Sequence, residues 1–565
     1  MRIRNLHIEH FRGVKLLDWS PADRIACIVG PGNSAKTTIL DAIELALLPR
    51  WFAGLSDDDF FQGDTSTPIK IEVTVGDLPK TLLRDDSLGH HLRGWSEDTG
   101  LQDEPSDGLM PVVTVRFTLD ASLEPLWHVV NDRIPDGVPI PMRDREKFGV
   151  ARLGNDVDRQ LTWMRGSALP RLATGSGDAG EAISSAVRAA RTTFQNAALP
   201  DQFSEAATAA HDAATQFGAA PAAPYSPRLG GAASINVGAM ELFEGAVPAR
   251  MAGLGSRRLA ALAIQAGAVR EGAILLIDEI EAGLEPHRIG TVLRTLKDSA
   301  ARQGHTILTS HSPVVLRELD AQDLCVARRT TAGHVSISRV PNDLQDLVRS
   351  VPGALLARRI ALLEGKTEHG VISHFVSKWE AERGEPLAHR NAALVTGSGS
   401  GGSAASAHAL KLRMLGYDVA LFADSDTATT PPDADLVAAG VTVIRWADAC
   451  NTETRVTRDV PETTLQKIVD FGVDVKDEPS VRAAFVERLA TTVTTVKVSH
   501  WAASGISMDV IRAAIGRVAA KGKVPWFKNL ERGRALGRIL DSCWADLKAT
   551  DTRQKIEELE AWFYG

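Results

Sequence analysis

Short, uninterrupted apolar runs recur along this chain, and each stops at residues that carry chemistry. Arg24–Gly30 (RIACIVG) opens into a glycine-rich turn, Ala273–Ile277 into Asp278-Glu279, and His305–Thr309 into Ser310-His311. In the second half, Ile360–Leu363 stops at Glu364-Gly365 and Val419–Ala423 at Asp424-Ser425-Asp426. A strand that is apolar on both faces needs cover on both, which is how strands of a helix-flanked parallel sheet read. Helical patterns at Thr37–Leu48 and Leu259–Val269 alternate with these runs, and Ile69–Val75, Ala392–Thr396 and Thr442–Arg445 read as further strands. The spacing therefore predicts an α/β fold. The opening MRIRNLHIEHFRGVKLLDW alternates as a half-buried strand does.

At 565 residues the chain exceeds what one core usually holds. A fresh α/β series begins after Asp343, which puts a domain boundary near 340–357 and predicts domains over 1–345 and 346–565. Residues 54–66 and 85–108, rich in Asp, Gly and Ser, read as loops. From about 144 to 248 the sequence turns Ala-rich and mostly helical in pattern, as an inserted lid or dimerisation arm would; the Pro/Gly-rich 219–231 reads better as a linker. The net charge of −8 argues against a nucleic-acid binder that relies on bulk positive charge, though not against one with a local basic stripe. Cys27, Cys325, Cys450 and Cys543 lie far apart without CxxC spacing, so neither zinc nor a disulfide framework is expected. With no leader-like start and no run of roughly 18 apolar residues, a cytoplasmic protein without a membrane span is expected.

Gly30-Pro-Gly-Asn-Ser-Ala-Lys36-Thr37-Thr38 lies between a buried strand and a helix, the setting in which backbone N–H groups cradle a triphosphate. Gly30, Gly32, Asn33, Ser34, Lys36, Thr37 and Thr38 are the expected contacts, with Lys36 on the β/γ-phosphates and the Thr37 hydroxyl on Mg2+. Ala35 stands where this pattern wants glycine; a left-handed backbone there costs an alanine about 1 kcal/mol or more. Asp278 and Glu279 at a strand end suit a Mg2+ anchor and a base that polarises water. Ser256, in the Leu254-Gly-Ser-Arg-Arg turn, and His311 are placed to meet a γ-phosphate; a lone strand-end histidine can also be a plain surface residue.

The second group is acidic. Glu364 and Glu368 lie four apart across a strand-to-helix turn, and Asp424 and Asp426 end another buried strand. Four such charges are tolerated together when divalent cations lie between them. The chemistry expected of that arrangement is two-metal phosphodiester hydrolysis, with ions about 3.5–4 Å apart. His369 and His374 read as packed or solvated helix residues.

In order, Lys36, Ser256, Asp278, Glu279, Glu281-Ala-Gly-Leu284 and His311 resemble the Walker A, signature, Walker B, D-loop and switch-histidine motifs of ABC ATPases, nearer the SMC, Rad50 and RecF group than transporters. His10-Phe-Arg12-Gly resembles that group's N-terminal segment, which implies that Arg12 approaches the nucleotide and that Gln62 is the Q-loop residue. Glu364-Gly365, Gly397 and Asp424-x-Asp426 resemble the Toprim fold, and Leu363-Glu-Gly-Lys-Thr-Glu368 resembles its OLD-family nucleases. That likeness implies a later acidic ligand at Glu462, in Val460-Pro-Glu462, and a charge-stabilising lysine at Lys528, in Trp526-Phe-Lys-Asn; a helix-cap carboxylate and a surface lysine are the alternatives for this pair.

The resemblance implies an ABC-type ATPase head with a helical insertion followed by a Toprim domain. Its cofactors would be ATP with Mg2+ and two further Mg2+ or Mn2+ ions. The expected catalytic residues are Glu279, His311 and Lys528, and the expected metal ligands Thr37, Asp278, Glu364, Glu368, Asp424, Asp426 and Glu462. DNA cleavage in anti-phage defence, pairing of two copies into a homodimer or larger assembly, and an operon-encoded protein or nucleic-acid partner are the implied function and partners. A RecF-like repair clamp with an inactive acidic site is the main alternative, and a protein-binding scaffold a weaker one.

Overall fold

Alternate residues of the apolar strands face different cores, and this two-sided burial sets the architecture. In the computed structural model, which describes residues 1–162 and 241–565 apart from 22–23, 48, 50–53, 85–86, 155–156, 269–272, 302–303, 398–401, 490–493 and 522–524, only scattered positions are described between 163 and 240. Cys27 and Val29 point into the same apolar cluster as Ile360, Leu362, Val419 and Leu421. Their neighbours Ala26 and Ile28 face a second cluster with the helix Lys36–Leu47. Ala361, Leu363, Ala420 and Phe422 face a third, built with the C-terminal helices. The shared cluster is closed by Leu344, Leu347 and Leu355 from the connecting segment, so the two halves bury apolar surface against one another.

Among the described residues, fourteen strands form one mixed sheet. Its parallel part runs in the order Ala151–Leu153, Ile274–Ile277, His305–Thr309, Ile25–Val29, Leu324–Arg329. The antiparallel part brings together Val14–Trp19, Arg2–Phe11, Ile69–Gly76 and Met110–Leu119. Four parallel strands make a second sheet in the order Ala392–Thr396, Arg359–Leu363, Asp418–Ala423, Thr442–Arg445. The segment from Thr452 onward is helical, ending with Asp551–Tyr564.

Two expectations need correction. The region starting near 144 does not open as helix alone: Ala151–Leu153 is a strand that extends the parallel sheet, and Phe243–Glu244 pairs with Val247–Pro248 as a hairpin. Most of the expected helical arm lies outside the described residues. The expected loop at 85–108 contains the paired strands Arg93–Ser96 and Gly100–Gln102. These short strands are held by backbone pairing rather than by an apolar run, so they leave little pattern in the sequence.

The helices Lys366–Arg383 and Leu530–Asp541 approach at glycines. A Cβ on Gly370 would lie 2.4 Å from the Leu530 carbonyl oxygen and 2.5 Å from Gly533 Cα, and one on Gly533 would lie 2.7 Å from the Thr367 carbonyl oxygen. Gly370→Ala is therefore expected to lower stability by about 1–3 kcal/mol through overpacking against backbone. Gly384→Ala, at a helix end where φ is +65° and nothing lies within 4 Å, should lose only the left-handed strain, about 1–2 kcal/mol. Denaturant unfolding of both variants measures the contrast.

Candidate functional site: two clusters at strand ends

Parallel register aligns the strand ends that carry the nucleotide motifs. Ile277 pairs with Leu308, and Leu308 with Cys27, so Asp278, Ser310 and Gly30 emerge at one edge. Gly30 has φ of +146°, and a Cβ there would lie 2.6 Å from the Ala327 carbonyl oxygen, so glycine is required twice over. Asn33 and Ala35 both adopt left-handed backbone, with φ of +61° and +67°. The missing glycine thus leaves real strain.

Lys36 is folded back onto its own loop. Its Nζ donates to the carbonyls of Gly30 at 3.1 Å and Pro31 at 2.9 Å and to Ser34 Oγ at 3.3 Å. Burial pulls its ammonium down to about 8 against the opposing pull of Asp278, Glu279 and Glu281. The Thr37 hydroxyl donates to Asp278 Oδ1 at 3.3 Å, and the Thr309 hydroxyl donates to the same oxygen at 2.6 Å. Glu279 sits at φ +46°, its amide donating to Thr309 Oγ1 at 2.9 Å. His311 follows the neighbouring strand; its amide donates to Glu281 Oε1 at 2.6 Å, and burial and then Lys36 hold its imidazole below the usual range.

Arg12 is anchored to the helix after the loop, through Asp41 at 2.5 Å, and to Asp59 at 2.7 Å. Gln62 is exposed, and its neighbour Phe61 packs edge-on to His10. Gly32, Thr37 and Ser256 are exposed, and Thr38 is half-buried. Ser256 lies inside the first turn of Leu254–Ala268, because the helix begins earlier than Leu259; Gly255 there approaches the Gly283 carbonyl so closely that a Cβ would lie 2.6 Å from it. Sequence reading missed two arginines. Arg152 bridges Asp41 at 2.9 Å and Asp278 at 3.2 Å, and the buried Arg258 donates to the carbonyls of Asp278 and Glu279, both at 2.6 Å. Both come from segments distant in sequence, and only the Arg257-Arg258 pair beside Ser256 hinted at one of them.

In the second sheet, Leu363 pairs with Phe422, which sets Glu364 beside Asp424: the Asp424 amide donates to Glu364 Oε2 at 2.9 Å. Gly365 leaves room for Glu368 to fold back, since a Cβ there would lie 2.7 Å from Glu368 Oε2. Asp424 Oδ1 accepts from the Thr452 amide and hydroxyl, both at 2.9 Å. Even so, burial and then Glu368, Glu364 and Glu453 push the Asp424 carboxyl up to about 8. Burial likewise raises Glu364, with Glu368 and Asp426 adding to the rise. Asp426 is exposed at the rim, and Ser425 is tied to Cys450 by its amide, 3.1 Å from the carbonyl oxygen.

The later carboxylate that reaches this cluster is Glu453, not Glu462. Glu462 is exposed in the first turn of Glu462–Val475, whereas the Glu453 side chain is 0% exposed and raised by burial. Glu453 follows no apolar strand; the available signal was Asn451, whose side chain caps the helix Thr452–Asp459. Lys528 Nζ lies 3.4 Å from Glu453. Burial works against its charge, but Glu453, Glu368 and Asp424 outweigh that and raise it. Lys528 is placed by its neighbours: Trp526 is fully buried, Phe527 stacks on Phe471, and the Thr367 hydroxyl donates to the Phe527 carbonyl at 3.2 Å.

Glu368 Oε1 and Glu453 Oε2 are buried without a hydrogen-bond partner. Such oxygens, beside Asp424, fit a hard divalent cation. Among the described residues no group of three or more acidic, histidine or cysteine side chains is arranged to hold a metal ion, so these carboxylates would have to turn to take one. Asp424 Oδ1 is turned to Thr452, and Glu364 Oε2 holds the Asp424 amide. Arg445 braces the Asp424 loop from behind, through the Asp424 carbonyl at 2.5 Å and both oxygens of Asp433 at 2.9 and 2.8 Å.

Residues 180–317 match the family described as "AAA domain, putative AbiEii toxin, Type IV TA system". The chain is 35% identical over 77 residues to a DNA replication and repair protein RecF from Chlorobaculum tepidum and 34% identical over 77 residues to that of Chlorobaculum parvum. Each match takes in 14% of this chain and 21% of the relative, so the chain spans about a fifth of the curated relatives it matches. Among solved structures, an SMC head bound to a ScpA winged-helix domain aligns with 60% of this chain and 98% of its own at 17% identity and a TM-score of 0.35. The SMC head of Thermotoga maritima aligns with 60% of this chain and 100% of its own at 16% identity and a TM-score of 0.29. No helix among the described residues is long and apolar enough to cross a membrane. The family match supports an ATPase-type domain in the N-terminal half.

Proposed function

We propose that this chain is an ATP-binding, divalent-metal-dependent nuclease of the OLD type, in which residues 1–345 form the ATPase and residues 346–565 a Toprim domain that cleaves DNA. The observation that carries it is the convergence of Glu364, Glu368, Asp424 and Glu453 at one sheet edge, with two buried carboxylate oxygens unpartnered and Lys528 alongside. Glu364, Glu368, Asp424 and Glu453, with Asp426 at the rim, would hold Mg2+ or Mn2+. Bound there, the cations would supply a deprotonated water and charge stabilisation at a phosphodiester. Lys528 offsets negative charge beside the scissile phosphate, Arg445 keeps the Asp424 loop in place, and Thr452 orients the Asp424 carboxylate. A DNA substrate accords with the names of the RecF relatives, which are DNA replication and repair proteins. Pairing of two copies, a further protein or nucleic-acid partner, and a role in bacterial defence against phage complete the reading.

In the N-terminal half, Lys36, Thr37, Asp278 and Glu279 would hold ATP with Mg2+, with Gly30, Gly32, Asn33, Ser34 and Thr38 lining the loop, and Arg12 and Gln62 nearby. Lys36 must leave its own loop carbonyls to meet a phosphate. Ser256 is exposed, as a residue completing a second copy's site would be, and His311, close enough to Lys36 to feel its charge, would report on a γ-phosphate. The RecF matches favour a second reading, a DNA clamp with an inactive acidic site.

The two readings separate on one experiment. Asp424→Ala with Asp426→Ala should abolish Mn2+-dependent nicking of supercoiled DNA by the pure protein, and Glu453→Gln should lower it about a hundred-fold, as weakening the hold on a catalytic cation does; nicking that persists in the double variant removes the nuclease reading. Ala35→Gly should stabilise the chain by about 0.5–1 kcal/mol in denaturant unfolding, because left-handed strain of about 1–2 kcal/mol is relieved while unfolded-state entropy rises by about 0.4–1 kcal/mol.

A further inference from the structure

The segment Lys528–Arg538 is opposite in charge to the chain that carries it. Against a net charge of −8, it holds Lys528, Arg532, Arg534 and Arg538, with Glu531 its one carboxylate. The glycine contact described above lays this segment over the first turn of Lys366–Arg383. Gly533 meets the carbonyls of Lys366 and Thr367, and Gly370 meets the Arg534 amide, where a Cβ would lie 2.6 Å away. Lys366 therefore stands at the same junction, exposed like Lys528.

Lys366 and Arg538 are open to solvent, and Arg532 and Arg534 partly so. The Arg534 side chain is 43% exposed, and its contact with the 73% exposed Glu531 is long, at 3.5 Å. A surface pair of that kind holds an arginine only weakly. Arg538 is exposed one helical turn on, on the same flank as Arg534. Arg532 reaches the Pro525 carbonyl at 3.5 Å.

A cluster of buried carboxylates repels a phosphodiester, so a nucleic acid needs positive charge next to that cluster to approach it. The basic flank supplies it within the contact that fixes Glu368 and Lys528. We propose that Lys366, Arg532, Arg534 and Arg538 form a track on which the phosphate backbone of a nucleic-acid strand lies as it enters the acidic cluster. The proposal rests on the nuclease reading of that cluster and adds where the substrate is held. Contacts of this kind go to phosphates, so they set position and salt dependence and carry no base preference.

Anisotropy of a labelled DNA duplex with the full chain, in Ca2+ to prevent cutting, tests the track. Arg534→Gln with Arg538→Gln should weaken binding about ten-fold and reduce the slope of log K against log salt by roughly 1.8, about 0.9 for each charge removed. The charge-keeping pair Arg534→Lys with Arg538→Lys should retain most of that slope. Calorimetric Mn2+ binding and the melting temperature should match the parent chain in both variants, which separates lost substrate contact from a damaged acidic site. Equal affinity and slope in parent and glutamine variant, or no binding by the parent to duplex DNA, single-stranded DNA or RNA, overturns the track. Nicking by the Asp424→Ala, Asp426→Ala variant with the track intact would instead overturn the nuclease reading alone.

Discussion

Glu364, Glu368, Asp424 and Glu453 are held near one another, Glu368 and Glu453 buried and the other two half-buried, where each makes the others costlier to ionise. Asp424 shows the result, its carboxyl pushed up to about 8 by burial and by three neighbouring carboxylates. Several contacts offset part of this: the Asp424 amide on Glu364, Thr452 on Asp424, and Lys528 beside Glu453. They leave Glu368 Oε1 and Glu453 Oε2 unpartnered. A buried carboxylate oxygen left in this state can be completed by a hydrogen-bond donor or by a cation.

The rest of the C-terminal half is arranged around that constraint. Parallel pairing of Leu363 with Phe422 fixes two of the acids, and Gly365 gives Glu368 the space to turn back. Glycine packing between Lys366–Arg383 and Leu530–Asp541 then delivers Lys528 from a distant part of the chain. In the N-terminal half the same device, parallel strands ending at one edge, gathers Gly30, Asp278 and Ser310. The apolar cluster shared by both sheets makes the two edges parts of one packed body.

Much of this was legible because doubly buried strands leave unbroken apolar runs, and the residues just beyond them carry the chemistry. Ile25–Val29, Ile274–Ile277, His305–Thr309 and Asp418–Ala423 were readable for that reason. Glu453 was not, since it sits on a helix whose only mark is the Asn451 cap, while the family resemblance points to Glu462. Arg152, Arg258 and Arg445 act through long-range contacts to backbone and carboxylates, which no local pattern records. The strain at Ala35 was legible, because one residue type missing from a phosphate loop names the backbone conformation it must adopt.

In the nuclease reading the four acids, assembled by two strands and two helix starts, capture divalent cations. Anomalous X-ray scattering from crystals of the full chain soaked in Mn2+ tests it without reference to activity. Anomalous peaks are expected within carboxylate-ligand distance of Glu368, Asp424 and Glu453, and should disappear in Asp424→Ala crystals. Occupied Mn2+ beside Thr37 and Asp278, with no peak at the acidic edge under the same soak, would contradict it.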